Sequence, residues 1–211
     1  MKKKLYYKET GMFIDWKQLS QLPKIQNFID IGIGEGTKDL WRKYKNKRII
    51  CIDPLEESEI LTKKILKGKN YSFHKVAVGS KNKYKTLFVE KSIGRSTLLR
   101  VTNKNFEGKP IKKVKVQVKT LDSIINKLNL KGKNGIKIDV EGYELEVLKG
   151  STKTLKNTRF IIVEARHNHK TFHNQYPLRD LMILMAKNKF FLTKIFTAKP
   201  FIADLCFEPK K

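Results

Sequence analysis

Two clusters of residues have types and spacings suited to chemistry. The first is "FIDIGIGEGT", residues 28–37, where an apolar run closes on Asp30 and is followed by Gly32, Gly34 and Gly36. Glycines let a backbone approach a ligand closely. The order G-x-G-x-G is not a P-loop, which needs G-K-[ST] entering the helix. It also departs from the dinucleotide fingerprint, because Thr37 stands where G-x-G-x-x-G requires a small residue. A pyrophosphate would need helix N–H groups aimed at it. A cationic sulfonium with an amino-acid tail is better served by a carboxylate, which Asp30 supplies. Asp53 closes the next apolar run, "RIICIDP", where an acid can accept both ribose hydroxyls. That role is shared with NAD-binding folds, so Asp53 does not by itself choose a cofactor, and either acid alone also reads as a strand-end or capping residue. Together, Asp30, Gly32, Gly34, Gly36 and Asp53 predict a nucleotide site, with S-adenosylmethionine favoured over NAD. The second cluster is "IKIDVEGYELEVLKG", residues 136–150, which puts Asp139 and Glu141 just past another apolar run.

The elements that must position these residues follow from periodicity. "FIDIGIG", "RIICIDP", "YSFHKVAVG", "NGIKIDVEG" and "TRFIIVEAR" read as buried strands. "TKDLWRKY", "LEESEILTKKILKG", "TLDSIINKLNL", "YELEVLKGSTKTLKN" and "PLRDLMILMAKNKF" read as helices between or after them. Gly68 is placed as a C-terminal cap, Thr120 or Asp122 as an N-cap, Gly150 as a stop, and Pro177 near a first turn. Strands alternating with helices over short connections predict an α/β fold: a mostly parallel Rossmann-like sheet with helices on both faces. "FFLTKIFT" and "FIADLCFEP" predict a C-terminal antiparallel hairpin. "KYKTLFVEK" and "KKVKVQVKT" alternate polar and apolar residues, as half-exposed strands do. Residues 80–119 therefore read as an insertion with a hairpin and a loop, "SIGRSTLLRVTNKNFEGKP", able to cap the substrate side. Residues 1–24 read as a lead-in, and the whole of 1–211 as one domain.

Composition narrows the function classes. A hydrophobic share of 40% over 211 residues is enough for a sizeable core. No apolar run approaches the ~18 residues of a membrane span. Lys8 and Glu9 interrupt any secretory apolar segment, so a cytoplasmic setting is expected. Cys51 lies in an apolar run and reads as a buried, reduced thiol. The net charge of +26 suits an anionic partner. Its 39 Lys and 7 Arg are scattered, however, and base readers lean on Arg. No specific nucleic-acid partner is expected, and weak attraction to anionic surfaces is compatible.

The pieces "FIDIGIGEGT", "CIDPLEE", "HKVAVGS", "VKTLDSII", "GIKIDVEGYELEVLKG" and "FIIVEA" occur in the order found in the FkbM family of S-adenosylmethionine-dependent methyltransferases, which the chain resembles over roughly residues 28–165. Ile33-Gly34-Glu35 stands where many members carry Ala-Asn. The resemblance implies O-methylation, often of sugars or secondary metabolites. The expected acceptor is a hydroxyl of a saccharide or glycan precursor; the alternatives are a small metabolite or polypeptide acceptor, or a silent cofactor- or RNA-binding module. By motif, Asp30, Gly32, Gly34 and Asp53 would bind cofactor, and Asp139 and Glu141 would line the reaction end. An alcohol acceptor needs a base, and the candidates are Asp139, Glu141, Glu164, His167 and His169. Each has a structural alternative: Asp139 as a helix N-cap, Glu141 bonded to loop backbone, the histidines in an exposed polar loop. Arg95 and Ser96 of "SIGRSTLL" would touch substrate if that loop closes, and otherwise lie on a plain surface loop. Spacing supports no metal site, and none is expected.

Overall fold

The computed structural model describes residues 16–102, 110–167 and 171–210. Most of the lead-in, part of the 80–119 loop and His169 therefore lie outside the described residues. Ten strands run β1 Asn27–Ile31, β2 Arg48–Ile52, β3 Tyr71–His74, β4 Ala77–Val78, β5 Lys83–Val89, β6 Lys112–Lys119, β7 Asn134–Ile138, β8 Thr158–Arg166, β9 Phe190–Ala198 and β10 Ile202–Pro209. Helices are α1 Trp16–Ser20, α2 Lys38–Lys43, α3 Glu56–Ile65, α4 Leu121–Leu128, α5 Glu144–Lys149, α6 Thr152–Leu155 and α7 Leu178–Lys187.

Seven strands form the main sheet in the order β3-β2-β1-β7-β8-β10-β9. The first five are mutually parallel, and β10 and β9 add in antiparallel sense. Alternation along the strands separates two faces. Ile29, Ile50, Ile136 and Ile161 lie side by side in register and share a core with Leu121, Val147, Leu148 and Leu181 of α4, α5 and α7. Phe28, Ile49, Cys51, Phe160 and Cys206 point the other way, against Leu19, Leu40, Trp41 and Tyr44. Cys51 and Cys206 are buried free thiols, as expected of Cys51. At about 25 cal/mol per Å² of apolar area, these two interfaces hold the strand ends in place.

The predicted third strand is two. Val76 N donates to His74 O at 2.9 Å, a tight i,i+2 turn that redirects the chain after β3. β4 then pairs with β6, and β6 with β5, in a separate three-stranded sheet. The insertion is thus a sheet with its own core, Leu87, Val89, Val116 and Val118 packing with Tyr143 and Phe172. Between the alternative caps of α4, Thr120 is the one used: its side chain accepts from Ser123 N at 3.1 Å. Asp122 instead accepts from Lys153 N and Thr154 N, tying down α6, a second short helix beyond the stop at Gly150. Pro177 sits at the N-cap of α7.

Candidate functional site

The glycine loop follows β1 at the C-terminal edge of the parallel strands, where open α/β sheets bind ligands. Gly32 has φ +77°, and a Cβ there would sit 1.7 Å from the carbonyl oxygen of Asp139. Only glycine lets the loop lie on the backbone that follows β7. Gly34, with φ +50°, meets Gly94 Cα at 2.6 Å from the same hypothetical atom, so the turn Ile93–Arg95 rests directly on the loop. Ser92 Oγ links the two by donating to Glu35 at 3.3 Å. The "SIGRST" segment therefore closes over the glycine loop. Its Ser96 Oγ accepts from Glu90 N, and Arg95 lies within electrostatic reach of Glu141. Gly36 also has positive φ and lies over Trp41.

Asp53 turns its carboxylate to this loop. Oδ2 accepts from Ile33 N at 2.9 Å and Gly34 N at 3.1 Å, and Oδ1 from Leu55 N at 2.9 Å. Burial raises its pKa, and those backbone donors hold it back. Asp30 lies beneath the loop, fully buried, with Oδ2 accepting from Trp41 Nε1 at 2.7 Å and Oδ1 without a hydrogen-bond partner among the described residues. Burial lifts its pKa to about 6, against the pull of Lys137. Its visible work is to pin α2. This donor set discriminates between ligands. The N–H groups of Ile33 and Gly34 are consumed by Asp53 and do not face outward for a pyrophosphate, and the acids around the loop suit a cation.

The second cluster lies beyond β7 and β8. Asp139, Glu141 and Glu164 each bring a carboxylate oxygen within 4.8 Å of the others. Lys137, buried in β7, binds Asp139 Oδ2 at 2.6 Å. Burial pulls the ammonium pKa down, but Asp139, Asp30 and Glu164 outweigh it, and Lys137 stays charged. Arg166 pairs with Glu141 Oε2 and lies 5.0 Å from the centroid of Phe172. Burial raises the Glu141 pKa, opposed by Arg166. Glu164 forms no ion pair among the described residues. Burial first, then Asp139, Glu141 and Asp204, push it well above the ordinary carboxylate range.

Glu141 itself has φ +53°, a left-handed conformation that costs a non-glycine residue about 1–3 kcal/mol. Its surroundings enforce it. Thr97 Oγ1 donates to Glu141 O at 2.7 Å, and Gly142 N donates to Glu144 Oε1 at 2.8 Å. Because Glu144 takes the loop N–H groups and Asp139 is paired with Lys137, Asp139 makes no N-cap bond to α5. His167 is not gathered with the acids. It is exposed where β8 turns away, and its Nε2 bonds Lys199 O at 3.1 Å.

Lys137, Glu144, Arg166 and Asp204 surround this cluster as well. A charged residue inside an apolar strand run, as in "GIKIDV" and "FIADLCF", is the sequence signal for Lys137 and Asp204.

Comparison with known proteins follows this geometry. The methyltransferase FkbM from Methylobacillus flagellatus KT superposes with a TM-score of 0.61 at 17% identity, covering 94% of this chain and 48% of that one. The bifunctional kinase-methyltransferase WbdD superposes at 0.50 with 13% identity, covering 92% of this chain and 36% of that one. Both are likenesses of fold. The hexuronic acid methyltransferase AglP of Haloferax volcanii is 45% identical over 49 residues, 22% of this chain and 20% of that protein. The chain thus spans about half of the first of these and matches a fifth of AglP. The model of the methyltransferase FkbM domain matches residues 26–192, and the chain belongs to that family.

Proposed function

We propose that the chain is an S-adenosylmethionine-dependent O-methyltransferase whose acceptor is a hydroxyl of a saccharide or glycan precursor. One observation carries the cofactor assignment: the N–H groups of Ile33 and Gly34 turn inward to Asp53, leaving a glycine-lined, acid-bordered edge suited to a sulfonium. The saccharide acceptor is supported by the partial match to a hexuronic acid methyltransferase.

Gly32, Gly34 and Asp53 would hold the cofactor, Asp53 through the one acceptor position that its three backbone donors leave open. When bound, S-adenosylmethionine supplies an electrophilic methyl group for in-line displacement by the acceptor oxygen. The chain contributes a proton acceptor and its orientation. Glu141 is held by Arg166, and Asp139 by Lys137. Among the described residues Glu164 forms no ion pair, and burial and its neighbouring acids raise its pKa well above the ordinary carboxylate range, which suits a general base. It therefore takes the hydroxyl proton, while Asp139, fixed by Lys137, orients the acceptor.

Calorimetry with S-adenosylhomocysteine tests the cofactor assignment. Asp53→Ala removes charge-assisted bonds worth about 1.5–3 kcal/mol each, so affinity should fall at least about tenfold with the fold retained. Unchanged affinity would remove Asp53 from the cofactor site.

A further inference from the structure

We propose that Asp139, Glu141 and Glu164 bind one hard divalent cation of the Mg2+, Mn2+ or Ca2+ class. The proposal deepens the reading above and rests on it for the cation's role beside the acceptor hydroxyl, though not for its binding.

The acids come from two strand ends that only the fold joins. Metal–oxygen distances of ~2.1 Å for Mg2+ and ~2.4 Å for Ca2+ put oxygens on opposite sides of such an ion about 4–5 Å apart. The oxygens here lie within 4.8 Å of one another. The supports are of the kind a ligand set needs. Lys137 holds Oδ2 of Asp139 and Arg166 holds Oε2 of Glu141, so each acid is oriented through one oxygen and keeps the other. Carboxylate ligands in metal sites are commonly fixed by such outer partners.

An independent observation comes from β10. Asp204 stands directly opposite Glu164 in antiparallel register, so both side chains leave the same face of the sheet, and Asp204 lies within electrostatic reach of Glu164 and Asp139. Asp204 is 3% exposed. Oδ2 accepts from Thr197 Oγ1, and Oδ1 is buried with no hydrogen-bond partner. A buried carboxylate oxygen without a donor is costly. Asp204 thus adds a fourth acid near the cluster; Lys137 acts on it and on Glu164 electrostatically, but neither acid forms an ion pair among the described residues. Arg95 and Lys199 lie within electrostatic reach but form no ion pair with these acids among the described residues. The donors are all oxygen, since His167 is engaged elsewhere, and all-oxygen sites select hard ions. One oxygen from each acid suffices for the cation, which would lower the pKa of Glu164 and of an acceptor hydroxyl beside it together.

The test is titration of the purified chain with Mn2+, followed by loss of the free-ion electron paramagnetic resonance signal, with S-adenosylhomocysteine calorimetry on the same sample. A single bound Mn2+, competed by Mg2+ or Ca2+, is expected. Glu164→Gln should weaken it at least about tenfold, and Asp180→Asn, on the exposed start of α7, should not. Asp139→Asn serves as a second ligand variant if Glu164→Gln melts early. No stoichiometric binding at millimolar Mn2+, or unchanged binding by both ligand variants, would overturn the proposal. S-adenosylhomocysteine binding without Mn2+ binding would sink the cation site alone. Mn2+ binding without S-adenosylhomocysteine binding would keep the cation site and remove the cofactor assignment.

Discussion

Glu144 makes stability depend on pH in an unusual direction. The side chain is 1% exposed. Burial lifts its pKa from 4.5 to about 7, although the N–H of Gly142 lowers it. Below about pH 4.5 folded and unfolded chains both hold this proton, and the group is neutral in its effect. Between 4.5 and 7 the unfolded chain has released the proton and the folded chain has not, so folding takes up a proton and stability falls as pH rises. Above 7 the folded chain carries a buried carboxylate, at a cost of about 3 kcal/mol. Glu144→Gln keeps an amide oxygen to accept from Gly142 N and Val140 N, the two loop donors, and cannot ionise. It should match wild type near pH 5 and exceed it near pH 8 by up to about 3 kcal/mol, or about 10 °C in melting temperature. Urea melts of both proteins from pH 5 to 8 measure this, and the difference between them cancels the slopes of other acids. If the difference does not change with pH, or the variant is weaker at pH 8, the ionised form of Glu144 is supported by the fold and the reasoning fails.

Other consequences follow from the same geometry. Gly32→Ala forces a Cβ against the Asp139 carbonyl at positive φ; it should cost more than about 2 kcal/mol and abolish the thermal shift with S-adenosylhomocysteine. Without added divalent cation, burial and three neighbouring acids raise the Glu164 pKa, so kcat/KM measured in chelator should climb with pH and level off above the ordinary carboxylate range. That apparent value belongs to the cluster as a whole, and a profile flat down to pH 5 would remove Glu164 as the base.

Parts of this molecule were legible in the residues because local rules agree with the fold. The apolar runs that became β1, β2, β7 and β8 are buried on both faces and read as strands for that reason. The hairpin β9–β10 and the cap at Thr120 have local causes as well. Other parts depend on partners distant in sequence. "YSFHKVAVG" is uniformly strand-like, and only the turn at Val76 and the pairing of β4 with β6 divide it. Asp30 at a strand end reads as a ligand contact, and only the packing of α2 shows that Trp41 also engages one of its oxygens. Lys137 and Asp204 look like interruptions of apolar runs until the register of β7, β8 and β10 sets them beside Asp139 and Glu164.

The most direct measurement is transfer of an isotopically labelled methyl group from S-adenosylmethionine to uronic-acid-containing oligosaccharides, read by mass spectrometry with fragmentation to locate the label. The account predicts a labelled methyl ether on a sugar hydroxyl with the wild-type chain. It predicts a rate about 10²- to 10⁴-fold lower with Glu164→Gln, at unchanged S-adenosylhomocysteine affinity. Transfer by Glu164→Gln at the wild-type rate, or label found on nitrogen or on a carboxylate ester rather than a hydroxyl, would contradict it.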